Sequence, residues 1–187
     1  MIACFYSDLK NLVQALHSGQ IIAYPAESVF SLGCDPDNVI AVKKLLSIKR
    51  RSWEKGLILV AACYEQLQGY VDEEKLDSNI RFRVFSSWPG PITWVFPSRI
   101  TTPWWLTGKH NSLAVRVSAF FPIKMLSLMF GKPIVSTSAN ITGQFPAKTV
   151  YEVRKKLGNA IPIMQEDVEG RLNTSSILDV VSGKIIR

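Results

Sequence analysis

The sequence predicts a three-layer α/β protein, and three observations carry that prediction. Segments with helical spacing of apolar residues alternate with short apolar runs bounded by turn residues, the pattern of helices packed on a sheet. The composition of the 187 residues, 47% hydrophobic and 20% charged, is that of a globular chain rather than a disordered one. No internal repeat, low-complexity tract or Gly/Ser-rich linker divides the chain, so residues 1–187 read as one domain around one sizeable core.

Leu9, Leu12, Val13 and Leu16 recur at helical spacing, with Ser7 as N-cap and Gly19 as the stop. Gln20 to Tyr24 reads as a short buried strand broken by Pro25. A second helix starts near Asp37, turns Val39, Val42, Leu45 and Leu46 inward, and ends in a basic run. Leu57 to Ala62 is the next strand, Asp72 to Ser86 a helix of mixed character, and Trp88-Pro89-Gly90-Pro91 a turn. Strands follow at Ile92 to Phe96, Leu113 to Val117 and Ile134 to Thr137, with an amphipathic helix from about Ile123 to Phe130 between the last two. Thr149-Val150-Tyr151-Glu152 is a capping-box sequence that opens another helix. Ile161 to Met164 and Ser176 to Val181 close the sheet.

Cys4, Cys34 and Cys63 form no C-x-x-C pair, which leaves neither a zinc knuckle nor a redox motif and fits a reducing compartment. Met1 to Asp8 has no basic leader before an apolar stretch and does not read as a signal peptide. The longest apolar run, Leu57 to Cys63, is far shorter than the roughly 20 residues of a membrane span, so a cytosolic protein is expected. Lys and Arg number 22 against 15 Asp and Glu, and the net charge of +7 favours an anionic partner: a nucleic acid, a nucleotide or an acidic surface. Solubility alone also accounts for such a charge.

The chain contains no G-x-x-x-x-G-K-[ST] and no G-x-G-x-x-G, so no P-loop or Rossmann turn holds a nucleotide. His17 and His110 are far apart and no H-E-x-x-H occurs, which leaves Ser-His-Asp and zinc hydrolases poorly supported. Ser7-Asp-Leu-Lys10 and Ser52-Trp-Glu-Lys55 match S-x-x-K, a pattern short enough to arise by chance.

Four segments carry chemistry. The basic run comprises Lys43, Lys44, Lys49, Arg50, Arg51 and Lys55, opposed only by Glu54. Cations at a helix end favour its dipole, but Lys49 and Arg51 also fall where they would project together over the sheet edge, and Lys49 and Ser138 are expected to face solvent. A polyphosphate needs such a pair, a guanidinium fork beside a mobile ammonium. From Pro133 to Gly143 an apolar strand runs into Ser136, Thr137, Ser138, Asn140 and Thr142. Those small donors suit either a phosphate or local bonds to the backbone. Arg116 interrupts the apolar strand Ser112-Leu-Ala-Val-Arg116-Val and needs either a structural acid or a bound carboxylate. Tyr24-Pro25-Ala26-Glu27-Ser28 is again a strand entering a polar loop, where Glu27 reads as a base, a metal ligand or, most commonly, a helix N-terminal acid. Convergence at the strand ends points to a phosphate-bearing ligand plus a second, smaller anion, without giving a reaction.

These segments, in this order, resemble the YrdC-like family, which makes threonylcarbamoyl-AMP, from about Leu12 to Asp179. The family's P-T-E-x-x-Y-G-L-G resembles Pro25-Ala-Glu27-Ser-Val-Phe30-Ser-Leu-Gly33, and its K-x-R matches Lys49-Arg50-Arg51. Its W-P-G-P-x-T matches Trp88 to Thr93, and its A-V-R matches Ala114 to Arg116. Its S-x-N matches Ser138-Ala139-Asn140, and its S-[ST]-[IV]-x-D is similar to Ser175-Ser-Ile-Leu-Asp179.

The resemblance implies a twisted, mostly open mixed β-sheet flanked by helices, a fold counted as α+β in some schemes. It implies condensation of L-threonine, bicarbonate and ATP, with Mg2+ carried on the ATP phosphates, no metal ligand set of side chains and no organic cofactor. Lys49, Arg51, Ser138 and Asn140 would hold the phosphates and Ser112 would lie on the nucleotide side. Lys55 joins them on charge grounds. Arg116, Ser136 and Ser175 would line the threonine pocket, with Ser28 as a further candidate there. Ala26, Phe30 and Ser31 depart from the family's threonine, tyrosine and glycine, and Gly56 stands where proline is common. The family's product passes to a separate transferase complex that modifies adenosine next to the tRNA anticodon, and the short single-domain form is expected here.

The competing reading is an RNA-binding or ribosome-maturation factor, in which a basic concave sheet with Trp53, Trp88, Trp94, Trp104 and Trp105 stacks bases. Trp88 and Trp94 flank a turn and suit packing, whereas Trp104 and Trp105 follow Pro103 in a polar loop and suit contact with tRNA or other RNA.

Overall fold

The computed structural model describes residues 2–170 and 175–186. Helix α1 (Ile2–His17) buries Leu9, Leu12 and Leu16, and Phe5 extends the same stripe by one turn. The helix therefore starts well before Ser7, which lies inside it rather than at its cap.

Strand β1 (Ile22–Pro25) returns antiparallel as β2 (Phe30–Gly33), with Ile22 opposite Gly33 and Pro25 opposite Phe30. The stretch read as an open polar loop is thus a tight turn, closed by the Ala26 N–H donating to the Val29 carbonyl at 3.1 Å. Pro25 ends β1 without disrupting the sheet because β1 lies at its edge.

Asn38 caps α2 (Val39–Lys49), its side chain accepting from the N–H groups of Ile40 and Ala41. Strand β3 (Ile58–Ala61) follows. The helix expected from Asp72 to Ser86 is two pieces, a one-turn 3-10 helix at Glu73–Lys75 and α3 (Ser78–Ser86), because Asp77 caps a new start through the Ile80 N–H. Then come β4 (Ile92–Pro97), α4 (Trp104–Thr107), β5 (Ser112–Val117) and α5 (Phe121–Phe130). Helix α4 occupies the stretch read as a polar loop. The chain continues through β6 (Ile134–Ser138), α6 (Val150–Leu157) and β7 (Ser176–Asp179). At α6 the Thr149 hydroxyl accepts from the Glu152 N–H, but the Glu152 carboxylate reaches the Lys148 N–H, one residue short of a closed capping box. Ile161 to Met164 forms an isolated bridge to Ala23 rather than a strand. Pro162 lends its carbonyl to the Ala23 N–H but has no N–H of its own to extend a ladder.

The sheet order is β1-β2-β6-β3-β5-β4-β7, with β3/β5 and β4/β7 parallel and the other pairs antiparallel, which is the open mixed sheet that the resemblance implied. Leu59, Leu113, Val115 and Val135 point to one face, into a core with Val42 and Leu45 of α2, Val84 of α3 and Val153 of α6. Val60 and Ile134 point to the other face, against Leu12 and Leu16 of α1 and Leu126 and Phe130 of α5. Full burial of each such side chain stabilises by about 1.5–3 kcal/mol. Helices α1 and α5 pack on β1 and β3, and beyond them the second face of the sheet opens into a cleft.

Cys34 and Cys63 are free thiols, and the side chain of Cys4 lies outside the described residues. Among the described residues no helix is long and apolar enough to cross a membrane.

Candidate active site

Strand alternation builds the floor of the cleft. On β5, Leu113, Val115 and Val117 enter the core while Ser112, Ala114 and Arg116 face a cleft of about 680 Å³. The register sets Ser136 beside Ile58, Ile58 beside Ala114, Ala114 beside Val95, and Val95 beside Asp179, one row across the sheet. The ten residues that the resemblance or their charge placed around the two substrates all line this cleft. Lys49, Arg51, Lys55, Ser112, Ser138 and Asn140 do so, as do Ser28, Arg116, Ser136 and Ser175.

One end is built from the close of α2 and the loop after β6. Arg50 takes a left-handed conformation at φ 49°, and its N–H and that of Arg51 cap the last carbonyls of the helix. The reversal leaves Lys49 and Arg51 in the cleft and Arg50 outside it. Lys49 is only 3% exposed, not solvent-facing as its position suggested. Its Nζ donates to the Ser138 carbonyl, to the Asn140 carbonyl at 2.9 Å and to Asn140 Oδ1 at 3.2 Å. The reason is that α2 ends against the loop, where Thr142 returns two bonds of 2.8 Å to the Lys49 carbonyl from its N–H and its hydroxyl. Ser138 is half-buried and donates to Asn140 Oδ1 at 2.6 Å, while Asn140 Nδ2 donates to the carbonyls of Ile141 and Gln144.

No carboxylate pairs with Lys49 among the described residues. Burial, with the Arg51 charge adding to it, lowers its ammonium to about 8. Arg51 donates from Nη2 to the Gly56 carbonyl at 3.0 Å. Gly56 itself sits at φ 62°, which no proline adopts, so the turn takes a path closed to the residue common in the family. Lys55 is exposed at the end of a short 3-10 turn capped by Ser52.

The other end is built on β5 and the β1–β2 turn. Arg116 Nη1 donates to Glu27 Oε1 at 2.9 Å, and the Ser118 hydroxyl donates to the same oxygen at 2.9 Å. All three residues are buried. Glu27 is thus the structural acid that Arg116 requires, and not a helix N-terminal acid, because β1 turns into a strand rather than a helix. Arg116 Nε is buried without a hydrogen-bond partner among the described residues. Ser28 and Ser136 are buried beside this pair in the lining, and Ser175 accepts from the Thr93 hydroxyl at 3.2 Å.

Thr142, one of the small donors read after the apolar strand, also lines the cleft, as do Thr93, His110 and Asp179, to which the sequence assigned no role. Thr93 and Asp179 are the last residues of two quoted motifs, and that membership was the available signal; His110 carried none. Among the described lining residues Glu27 and Asp179 are the carboxylates. No group of three His, Cys, Asp or Glu residues is disposed to hold a metal ion among the described residues.

The tryptophans lie elsewhere. The indole N–H of Trp88 donates to the Ile92 carbonyl and that of Trp94 to the Ser87 hydroxyl, which makes both part of the packing. Trp53 and Trp104 are exposed and meet edge to face at 5.4 Å. With Trp105, Lys43 and Arg50 they line a separate groove of about 510 Å³, so the concave cleft expected to stack bases contains no tryptophan among its described lining residues.

The family model Sua5_yciO_yrdC, described as "Telomere recombination", matches residues 14–187. A protein of Sodalis glossinidius (strain morsitans) named threonylcarbamoyl-AMP synthase is 58% identical over 187 residues, which cover 100% of this chain and 98% of that one. One of the same name from Baumannia cicadellinicola is 57% identical over 179 residues, 96% of this chain and 90% of its own. Among solved structures, P. abyssi Sua5 complexed with L-threonine matches with a TM-score of 0.85 at 25% identity, over 96% of this chain and 53% of that chain. This chain therefore spans about half the length of that Sua5 chain. E. coli YciO, at 20% identity and a TM-score of 0.81 over 96% of this chain and 87% of its own, shares the fold. With a family model over most of its length and relatives above half identity, the chain belongs to the Sua5/YciO/YrdC family.

Proposed function

We propose that this chain is a threonylcarbamoyl-AMP synthase, joining L-threonine, bicarbonate and ATP into threonylcarbamoyl-AMP with release of pyrophosphate and water. The supporting observation is a single cleft that presents two buried cations in different settings, Lys49 on neutral oxygens and Arg116 on a carboxylate. A polyanion and a single carboxylate are the ligands such a pair suits. The names of the Sodalis and Baumannia relatives agree with it.

The triphosphate lies along Lys49, Arg51, Lys55, Ser138 and Asn140, with Ser112 on the nucleotide side. The threonine carboxylate meets Arg116, with Ser28, Ser136 and Ser175 around the amino acid. A threonine carbamate oxygen then attacks the α-phosphorus and pyrophosphate leaves, which makes the enzyme a nucleotidyltransferase. The chain's contribution is to hold two anions against their repulsion and to keep water out of the cleft. Mg2+ would be held on the triphosphate beside the Ser138 hydroxyl and the Asn140 amide oxygen, both hard donors, and would supply charge neutralisation there. The product passes to a tRNA-modifying transferase complex in the cytoplasm.

Pyrophosphate release from ATP with Mg2+ and bicarbonate, with and without L-threonine, tests this reading. Threonine-dependent release with the carbamoyl-adenylate seen by mass spectrometry supports it, and no turnover by folded protein overturns it.

A second reading, contact with tRNA or other RNA, has one observation in its favour: exposed Trp53 and Trp104 beside Lys43 and Arg50. Stacking on indole with cations nearby suits single strands. Its test is RNA affinity against salt for the wild type and for Trp53→Ala/Trp104→Ala.

A further inference from the structure

We propose that Glu27 is the positioning residue of the amino-acid pocket: it aims the Arg116 guanidinium at a substrate carboxylate and keeps phosphates out of that pocket. The inference rests on the threonylcarbamoyl-AMP synthase reading and deepens it.

Arg116 stands on the sheet floor with five N–H donors, one of which, on Nη1, goes to Glu27 Oε1 at 2.9 Å. That carboxylate is itself held. Ser118 donates to the same oxygen at 2.9 Å, and the turn carrying Glu27 is closed by the Ala26–Val29 backbone bond. One corner of the guanidinium is therefore pinned. Its Nε is buried and lacks a partner among the described residues, in a side chain that lines the cleft. A desolvated donor without an acceptor is costly, and a planar carboxylate along that edge removes the cost.

The charge of Glu27 has a second consequence. It cancels that of Arg116, so this end of the cleft attracts by geometry rather than by field. A monoanion that fits the free edge gains charge-assisted bonds, whereas a polyphosphate meets the Glu27 carboxylate and is repelled. Lys49 carries no such carboxylate among the described residues, so the phosphates settle at its end.

The test is calorimetric binding of L-threonine to wild type, Glu27→Gln, Arg116→Met and the double variant, with pyrophosphate as competitor. Glu27→Gln replaces the charge-assisted bond to Arg116 Nη1 with a weaker neutral one, which loosens the aim of the guanidinium, and it removes the negative charge that repels phosphates. We expect its affinity for L-threonine to fall by about ten- to a hundredfold while ATP affinity stays within about twofold. Pyrophosphate should displace L-threonine from Glu27→Gln but not from the wild type. In the Arg116→Met background, Glu27→Gln should bring no further loss, since Glu27 acts through Arg116; a merely structural role would give additive losses. The double variant buries no unpaired charge and serves as the folded reference should a single variant fail to fold. Wild-type affinity in Glu27→Gln, or an equal further loss in the Arg116→Met background, overturns the role of Glu27 alone. A folded wild type that binds no L-threonine overturns the synthase reading and this inference with it.

Discussion

Lys49 and Arg116 are both buried cations lining one cleft, yet the chain holds them by different means. Lys49 rests on two carbonyls and an amide oxygen, all neutral, so its full charge remains available to a ligand. Arg116 rests on Glu27, which leaves it oriented and nearly neutralised. Burial costs the two differently. An ammonium without a counter-ion drifts toward losing its proton, whereas a guanidinium stays charged and is instead stabilised by a partner. A site for a polyanion can tolerate the first condition because its ligand restores the balance. A site for a single carboxylate needs the second, because it must choose by shape.

The largest effect that separates the two ends is on stability. Arg116→Met strands Glu27 as an unpaired buried carboxylate and should cost about 3–5 kcal/mol in denaturant unfolding. Adding Glu27→Gln should restore most of that loss. If the double variant is no more stable than Arg116→Met, the pair is not what neutralises this end.

Lys49→Met has no such compensating partner among the described residues. It should lower turnover by about 10²–10³-fold, the scale for removing one preorganised donor. It should also cost about 1–3 kcal/mol, because the Ser138 and Asn140 carbonyls lose their donor. Single-turnover kinetics and a melting curve read the two effects separately. Full activity in a folded Lys49→Met chain would remove Lys49 from the phosphate site.

The pH response should be smaller and confined to the Lys49 end. Its ammonium is lowered from 10.5 to about 8, so between those values the unfolded chain binds a proton that the folded chain has released. Stability contributed by this group therefore rises with pH across that window, and below about pH 8 the penalty of burying the charge is fully present. Affinity for ATP runs the other way, falling roughly fivefold to tenfold from pH 7.5 to 9 as the charge is lost. Calorimetry across that range checks it, and a flat profile would mean that the loop oxygens keep Lys49 protonated.

The same contrast decides what was legible in the sequence. Strand alternation placed Arg116 in an apolar run, and its need for an acid or an anion follows from burial alone. The acid could not be named, because Glu27 lies 89 positions away and reaches Arg116 only through the sheet order. That Lys49 and Arg51 come together was legible from their place at a helix end, and both line the cleft. Their unequal burial was not, because it depends on the left-handed cap at Arg50 and on a loop 89 to 91 residues further on. Strand β2 was hidden for a related reason: its four residues pair with β1 and β6, and neither partner is apparent from local pattern. Helix α1 was misplaced at its start because Ser7 has the chemistry of a cap while Phe5 carries the apolar stripe past it.

The smallest expected effect concerns the turn that carries Glu27. Ala26 is buried there and lines the cleft, in the place of the family's threonine. Its N–H is held by the Val29 carbonyl and its carbonyl by the Glu169 N–H, so a larger side chain would extend into the cleft without altering the turn. Ala26→Thr adds one neutral hydroxyl near Arg116, worth about 0.5–1.5 kcal/mol if it meets the substrate, or roughly a two- to tenfold lower KM for L-threonine. Ser28, buried two residues on and lining the same cleft, determines how much of that gain appears. If Ser28 already supplies the hydroxyl, Ala26→Thr should change KM little in the wild type and should recover the loss in Ser28→Ala. A full gain in the wild type, with Ser28→Ala silent, would instead mean that this pocket binds threonine through Arg116 with one contact fewer, leaving selection more dependent on the Glu27–Arg116 geometry.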